Sequence, residues 1–183
     1  MEASLYAVYS LSQVGLRTKM IRHDKFSDVE IIGADSSGYQ TEGSAGLDLV
    51  AKGWRWPQGY GYRDMQSIAR DFTLFPGDIM QISTGVFVNM TFVPNLFATV
   101  HVRSSIGIKG LVLANCTGII DNDYQGEIFV VLRNVSNQPV VVKIGDRIAQ
   151  LVFQRFERPS FRKVDKFSST SVRGASGFGS TGE

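Results

Sequence analysis

One cysteine, Cys116, in 183 residues leaves no intrachain disulfide. Two histidines, His23 and His101, stand far apart in the chain, without the spacing of a metal-ligand motif. Nineteen basic against seventeen acidic residues gives a net charge of +2, too slight an excess to argue for binding to nucleic acid or membrane. No apolar run reaches the roughly 18 residues of a membrane span. The opening Met-Glu-Ala-Ser lacks the basic start and apolar stretch of a signal peptide, so a soluble, cytoplasmic chain is expected. Without such a leader, the Asn-x-Ser/Thr triplets at Asn89, Asn115 and Asn134 read as chance. What is present is ordinary for a globular chain: 43% apolar and 20% charged residues, which excludes wholesale disorder. The length suits one domain with arms.

Residues 1–42 are mixed and polar, with Val29–Ile32 the best strand among them. From Gly53 to Asp64 runs an irregular stretch holding Trp54, Trp56, Tyr60 and Tyr62, and Met65–Arg70 follows as a short helical turn. Together these read as an inserted loop. From Phe72 to Phe156, short β-branched runs alternate with turn signals: Phe72–Leu74, Ile79–Ile82, Val86–Met90 after Gly85, Phe97–Val102, Leu111–Ala114, Glu127–Asn134, Val140–Ile144 and Ile148–Phe153. Many short strands at such spacing, with no helical period of a dozen residues between them, predict an all-β sandwich or barrel. The tail from residue 157 is basic and then rich in Gly and Ser, too poor in apolar residues to bury a core alone.

Several segments could carry chemistry. Gly177-Phe-Gly-Ser-Thr-Gly182 is a literal G-x-G-x-x-G, but only Glu183 follows, so the helix a dinucleotide fold requires cannot form. It is either a frayed end or an arm whose bare N–H groups wrap phosphate. Arg103-Ser-Ser-Ile-Gly-Ile-Lys-Gly110 follows a strand, and its hydroxyls and cations make either an anion site or a solvated turn. Gly118 to Glu127 reads as a turn whose Asp121 and Asp123 could supply a general base or chelate a metal. Asp48, in Ala45-Gly-Leu-Asp-Leu49, is either an edge-strand residue facing water or a buried carboxylate that needs a partner. Cys116 reads as a small buried residue.

In this order, these segments resemble the five motifs of the trimeric dUTPases. Ala45–Leu49 is similar to the first, Arg103–Gly110 to the second, Gly118–Gly126 to the third, Gly145-Asp-Arg-Ile-Ala-Gln-Leu151 to the fourth, and Arg173–Gly182 to the fifth. The resemblance implies a distorted β-barrel or jelly-roll-like domain over residues 1–171, with an N-terminal extension of about 42 residues and the insertion at about 53–71. Residues 172–183 would form a mobile glycine-rich arm. It further implies a homotrimer with sites between subunits, and hydrolysis of dUTP to dUMP and pyrophosphate with Mg2+. That activity limits uracil in DNA and supplies dUMP for dTMP synthesis.

The resemblance also implies roles. Asp121 would activate water, and Asp48 would hold the metal through water, as suits an ion that dehydrates reluctantly. Ser104 and Ser105 would bind phosphate, Gln150 phosphate or water, and Arg103 with Lys109 would give general phosphate or structural support. Tyr124 would pack on deoxyribose and exclude a 2′-hydroxyl. Asn115 would read uracil beside the Gly118 strand backbone. Phe178 would close over the base and Arg173 clamp the γ-phosphate, with Gly179 and Ser180 beside them. Arg147 is expected to be structural. Two rivals are weighed against this. The dCTP deaminases of the same superfamily need a glutamate on the strand after the third motif, and Phe129–Arg133 supplies none. A non-enzymatic binder would show broken motifs, and all five are intact. The aromatic insertion could still offer a partner surface or simply pack on its own domain.

Overall fold

The computed structural model describes residues 28–33, 39–57 and 70–175. Eleven strands and one short helix make up the regular structure of these residues. Strands β1 (Glu30–Ile32), β3 (Gly53–Arg55), β5 (Ile79–Asn89), β7 (Leu111–Leu113) and β9 (Glu127–Asn134) form the first sheet, in which β3 also pairs with β5. A second sheet runs β2 (Gly46–Val50), β11 (Arg147–Arg155), β6 (Leu96–Val102), β8 (Gly118–Ile120). Strands β4 (Phe72–Leu74) and β10 (Val140–Val142) pair apart from both. Every pairing is antiparallel, and the all-β, jelly-roll-like architecture is distorted rather than a closed barrel among the described residues.

Alternation of residue type decides the faces. In β5 every second side chain is buried, so Met80, Ile82, Val86 and Val88 enter the core with Thr84 among them. In β9 Ile128, Val130 and Leu132 do the same from the opposite strand. The second sheet contributes Leu47, Leu49, Ala98, Val100, Ala149 and Leu151 to the same cluster. Truncating a residue such as Leu132, which has no exposed surface, costs about 2–5 kcal/mol in such a core.

Gly85 does not break the strand at Ile79–Ile82, as its turn signal suggests; it sits inside one eleven-residue strand as a bulge. Its φ of +65° needs glycine, and the ladder loses its register between Ser83 and Phe87. Side chains fill the gap: Ser83 Oγ and the Gly85 N–H both donate to Glu127 Oε1, at 2.5 and 2.8 Å, and Thr84 Oγ1 donates to the Ile128 carbonyl. The Gly85 carbonyl in turn lies against Gly33, where a Cβ would come within 1.8 Å of it.

Three other expectations change. The insertion read from residue 53 begins with β3, since Trp54 and Arg55 pair with Ile82 and Gln81. Trp54 and Trp56 are half-buried against the core, with Trp54 stacked near Phe72 and its indole N–H donating to the Arg70 carbonyl at 3.0 Å. Gly118–Ile120, read as the start of a turn, is strand β8, because bare Gly118 lets the chain lie close to Val100 on β6. Cys116 is exposed, not buried: it takes a φ of +63° at the tip of the turn from β7 to β8. Apart from Arg70, the helical turn expected at Met65–Arg70 lies outside the described residues, as do Phe178, Gly179 and Ser180. No helix among the described residues is long and apolar enough to cross a membrane.

Candidate active site

Asp48 occupies the middle of β2, on the face away from the core. Among the described residues β2 pairs with β11 alone, at the edge of its sheet, yet the Asp48 side chain is only 11% exposed. Burial of a lone carboxylate would be costly. Two guanidiniums offset it: Arg103 Nη1 lies 3.0 Å and Arg147 Nη1 3.1 Å from Asp48 Oδ2. Both bonds fall on one oxygen, and Oδ1 accepts none from a described residue. The water-facing and buried-and-paired readings of Asp48 are thereby resolved in favour of pairing.

The cations arrive from two strands. Arg147 opens β11, while Arg103 follows β6 and precedes the helical turn α1 (Ser104–Gly107), which sequence periodicity is too short to reveal. Ile106 is the buried anchor of that turn, and Ser104 and Ser105 remain exposed beside Arg103. The turn ends at Gly110, whose φ of +83° and contact with Ser136 leave no room for a side chain. Gln150 stands in register between Asp48 on β2 and His101 on β6. Its amide lies over Gly46, where a Cβ would meet Gln150 Oε1 at 2.5 Å. Glycine in the first motif therefore serves a side chain of the fourth. His101 is tied to Thr99 Oγ1 at 2.8 Å, and Gln154 Nε2 donates to the same hydroxyl.

Asn115 is exposed on the turn between β7 and β8, and a Cβ added at Gly118 would stand 3.7 Å from its amide nitrogen. These two candidate residues are therefore neighbours. Past β8 the chain turns at Asp121–Tyr124, closed by the Tyr124 N–H on the Asp121 carbonyl at 3.1 Å. Asp121 is exposed, and its carboxylate has no hydrogen-bond partner among the described residues. Tyr124 Oη donates to the Glu127 carbonyl at 2.8 Å, and Gly126 is bare where a Cβ would crowd the phenol at 2.5 Å. Asn122, which carried no signal in sequence, donates from Nδ2 to the carbonyls of Met90, Val93 and Leu96 at 2.8, 3.1 and 2.9 Å. The strand after this turn does begin with a glutamate, Glu127, but its carboxylate is committed to the β5 bulge.

Strand register sets the spacing of these groups. Ile120 pairs with Ala98 near the start of β6, whereas Arg103 follows its end. At about 3.3 Å per residue, Asp121 and Arg103 are separated by roughly 20 Å along the strand. One chain thus gathers Asp48, Arg103, Arg147 and Gln150 at one end of β6 and holds Asp121 and Tyr124 at the other. Arg173 lies in the exposed segment after β11, near the turn closed by the Gly174 N–H on Ser171.

No group of three or more His, Cys, Asp or Glu side chains among the described residues could hold a metal. A magnesium ion brought by a polyphosphate still fits the donors present, because that ion keeps waters and needs only one or two carboxylates besides phosphate. Asp48 Oδ1 is such a donor.

A family model described as dUTPase matches residues 64–182. The deoxyuridine 5'-triphosphate nucleotidohydrolase of Shewanella amazonensis is 41% identical over 145 residues, 79% of this chain and 84% of that protein. The protein of the same name from Actinobacillus pleuropneumoniae is 43% identical over 146 residues, 79% and 85% of the two chains. Among solved structures, the dUTPase of Staphylococcus bacteriophage 80alpha with dUPNHPP aligns with a TM-score of 0.67 at 22% identity, over 85% of this chain and 99% of that one. A mutant dUTPase of phage phi11 of S. aureus, described with a structural Mg(II) ion, aligns at 0.60 and 18% identity, over 78% and 100% of the two chains.

Proposed function

Since this chain belongs to the dUTPase family, we infer that it is a dUTP diphosphatase, hydrolysing dUTP to dUMP and pyrophosphate. The observation that carries the site is the separation of Asp121 from Arg103, which lie toward opposite ends of β6. A carboxylate that serves the α-phosphorus and hydroxyls that hold the next phosphate need to touch one ligand, and reacting atoms must approach to about 3–3.5 Å. A separation of roughly 20 Å within one chain supports a site completed by a second copy. The assembly is a homotrimer, with Asp121, Tyr124, Asn115 and Gly118 from one subunit facing Arg103, Ser104, Ser105, Gln150 and Asp48 of another. The arm carrying Arg173, Phe178, Gly179 and Ser180 closes over the nucleotide.

In that site Asp121 orients a water and takes its proton as the oxygen attacks the α-phosphorus. The new P–O bond forms as the bond to the bridging oxygen breaks, and pyrophosphate departs with its charge held by Ser104, Ser105 and Arg103. Magnesium, when bound with the substrate, neutralises phosphate charge, and Asp48 would hold it through water. The Tyr124 ring fills the space of a 2′-hydroxyl, and the amide of Asn115 with the backbone at Gly118 reads the uracil edge. Deamination of dCTP is disfavoured because Glu127, the one carboxylate of β9, is occupied by Ser83 and Gly85. The enzyme works in the cytoplasm, on free nucleotide rather than nucleic acid. A docking surface at the insertion would not rest on Trp54 and Trp56, which already pack on the core.

Two measurements test this. A nucleotide panel with Mg2+ should give pyrophosphate and dUMP from dUTP and no ammonia from dCTP; ammonia at a comparable rate would move the chain to the deaminases. Arg103→Ala and Asp121→Asn, each nearly inactive alone, should regain activity when unfolded and refolded together, up to about a quarter of sites in a random mixture. Absence of any recovery in mixed assemblies would place the site within one chain.

A further inference from the structure

We propose that Asn122 is a positioning residue for the hydrolytic water: its side-chain amide locks the Asp121 turn onto the loop between β5 and β6, and so fixes the carboxylate next to it. This rests on the reading of Asp121 as the base. A carboxylate that acts on water must be held within a few tenths of an ångström, yet Asp121 is exposed and no described side chain holds it. Its position is therefore set by its backbone. On one side that backbone is carried by β8, only three residues long. On the other it is carried by Asn122, whose half-buried Nδ2 donates to the carbonyls of Met90, Val93 and Leu96.

The loop that receives this amide is itself fixed. Met90 and Val93 are buried, Val93 N–H bonds the Met90 carbonyl at 2.9 Å, and Asn95 takes a φ of +57°. Arg155 Nη1 and the Phe156 N–H bond the carbonyls of Pro94 and Asn95 at 2.7 and 3.0 Å, tying the same loop to the end of β11. Only an amide at position 122 suits the three carbonyls. An aspartate of the same shape would turn an acceptor toward acceptors, and alanine would leave the carbonyls without this donor. The acidic neighbour Asp123 is exposed and makes no such anchor.

The test compares Asn122→Ala, Asn122→Asp and Asn122→Ser in the full chain. A positioning role predicts that kcat for dUTP falls roughly 10- to 100-fold, since a displacement near 1 Å can cost that much. The affinity for a non-hydrolysable dUTP analogue should change less than about threefold, a split that mere loss of folded protein would not produce. Aspartate should be worse than alanine, and serine, which keeps one donor, the mildest and the variant of choice should the others not fold. The decisive arm is Asn122→Ser in the Asp121→Asn background. If Asn122 acts through Asp121, the second substitution adds little to the loss already caused by the first. An equal fold-loss in both backgrounds, or a kcat within twofold of wild type in all folded Asn122 variants, overturns the proposal. Full activity of Asp121→Asn alone would overturn the base assignment instead, so the two failures are told apart.

Discussion

The two ends of β6 hold their carboxylates in opposite ways. At the end near Arg103, Asp48 is nearly enclosed and carries two guanidiniums on one oxygen. At the other, Asp121 is exposed and no described side chain hydrogen-bonds its carboxylate, while the turn beneath it is pinned by an uncharged amide. The Asp48 carboxylate, through one oxygen, aims two cations at the same place. The Asp121 carboxylate, with no side-chain partner among the described residues, is left open to water. The first end is built to arrange charge and the second to use it.

The largest effect should come from removing the open carboxylate. Asp121→Asn should lower kcat by about 10²–10⁴-fold while a non-hydrolysable analogue still binds. Retention of more than about a tenth of wild-type turnover would erase the contrast. Removing the paired carboxylate, Asp48, should do different damage. Asp48→Ala leaves Arg103 and Arg147 without their acceptor, so the fold should lose about 1–3 kcal/mol, measured by urea unfolding. The KM for dUTP should rise, as misdirected guanidiniums bind phosphate less well. A kcat loss as deep as that of Asp121→Asn with unchanged stability would assign Asp48 a part in the chemistry itself. Next in size, Tyr124→Ala should narrow the preference for dUTP over UTP; an unchanged ratio would remove the ring from sugar selection. The smallest effect is expected from Gly46→Ala. Its Cβ would meet Gln150 Oε1 at 2.5 Å, Cδ at 3.0 Å and Cβ at 3.1 Å, so the Gln150 side chain must turn aside, with a small loss of stability and a severalfold fall in kcat/KM. A large drop in stability would show that Gln150 cannot move aside.

Strands with alternating or β-branched residues were legible: β4, β9 and most of β6 follow from local pattern alone. Gly85 misled because a bulge and a turn demand the same positive φ; the difference lies in Glu127, 42 residues later, which supplies the missing acceptor. β3 was hidden because Trp54 in an irregular aromatic stretch gives no period, and only β5 beside it makes it a strand. In the candidate site, residue types in order were enough to nominate Asp48 and Asp121. Their surroundings were not legible, since Arg103 reaches Asp48 across 55 residues and Arg147 across 99. The three hydrogen bonds of Asn122 to a segment about 30 residues earlier have no local signature at all.

The lone ladder between β2 and β11 also orders events in time. Among the described strands β2 has no other partner, and Arg147, which opens β11, lies 99 residues after Asp48. At roughly 5–20 residues per second, a ribosome exposes β2 on the order of 5–20 s before β11 follows it out. During that interval β2 has no strand to pair with, and the nascent chain carries an unpaired edge. Contacts of such long range also make spontaneous closure slow. The last of the described strands to emerge is thus the one that pairs with β2 and delivers the second cation to Asp48. A chain released before Arg147 would hold about four-fifths of the residues, with β2 unpaired and Asp48 left with Arg103 alone.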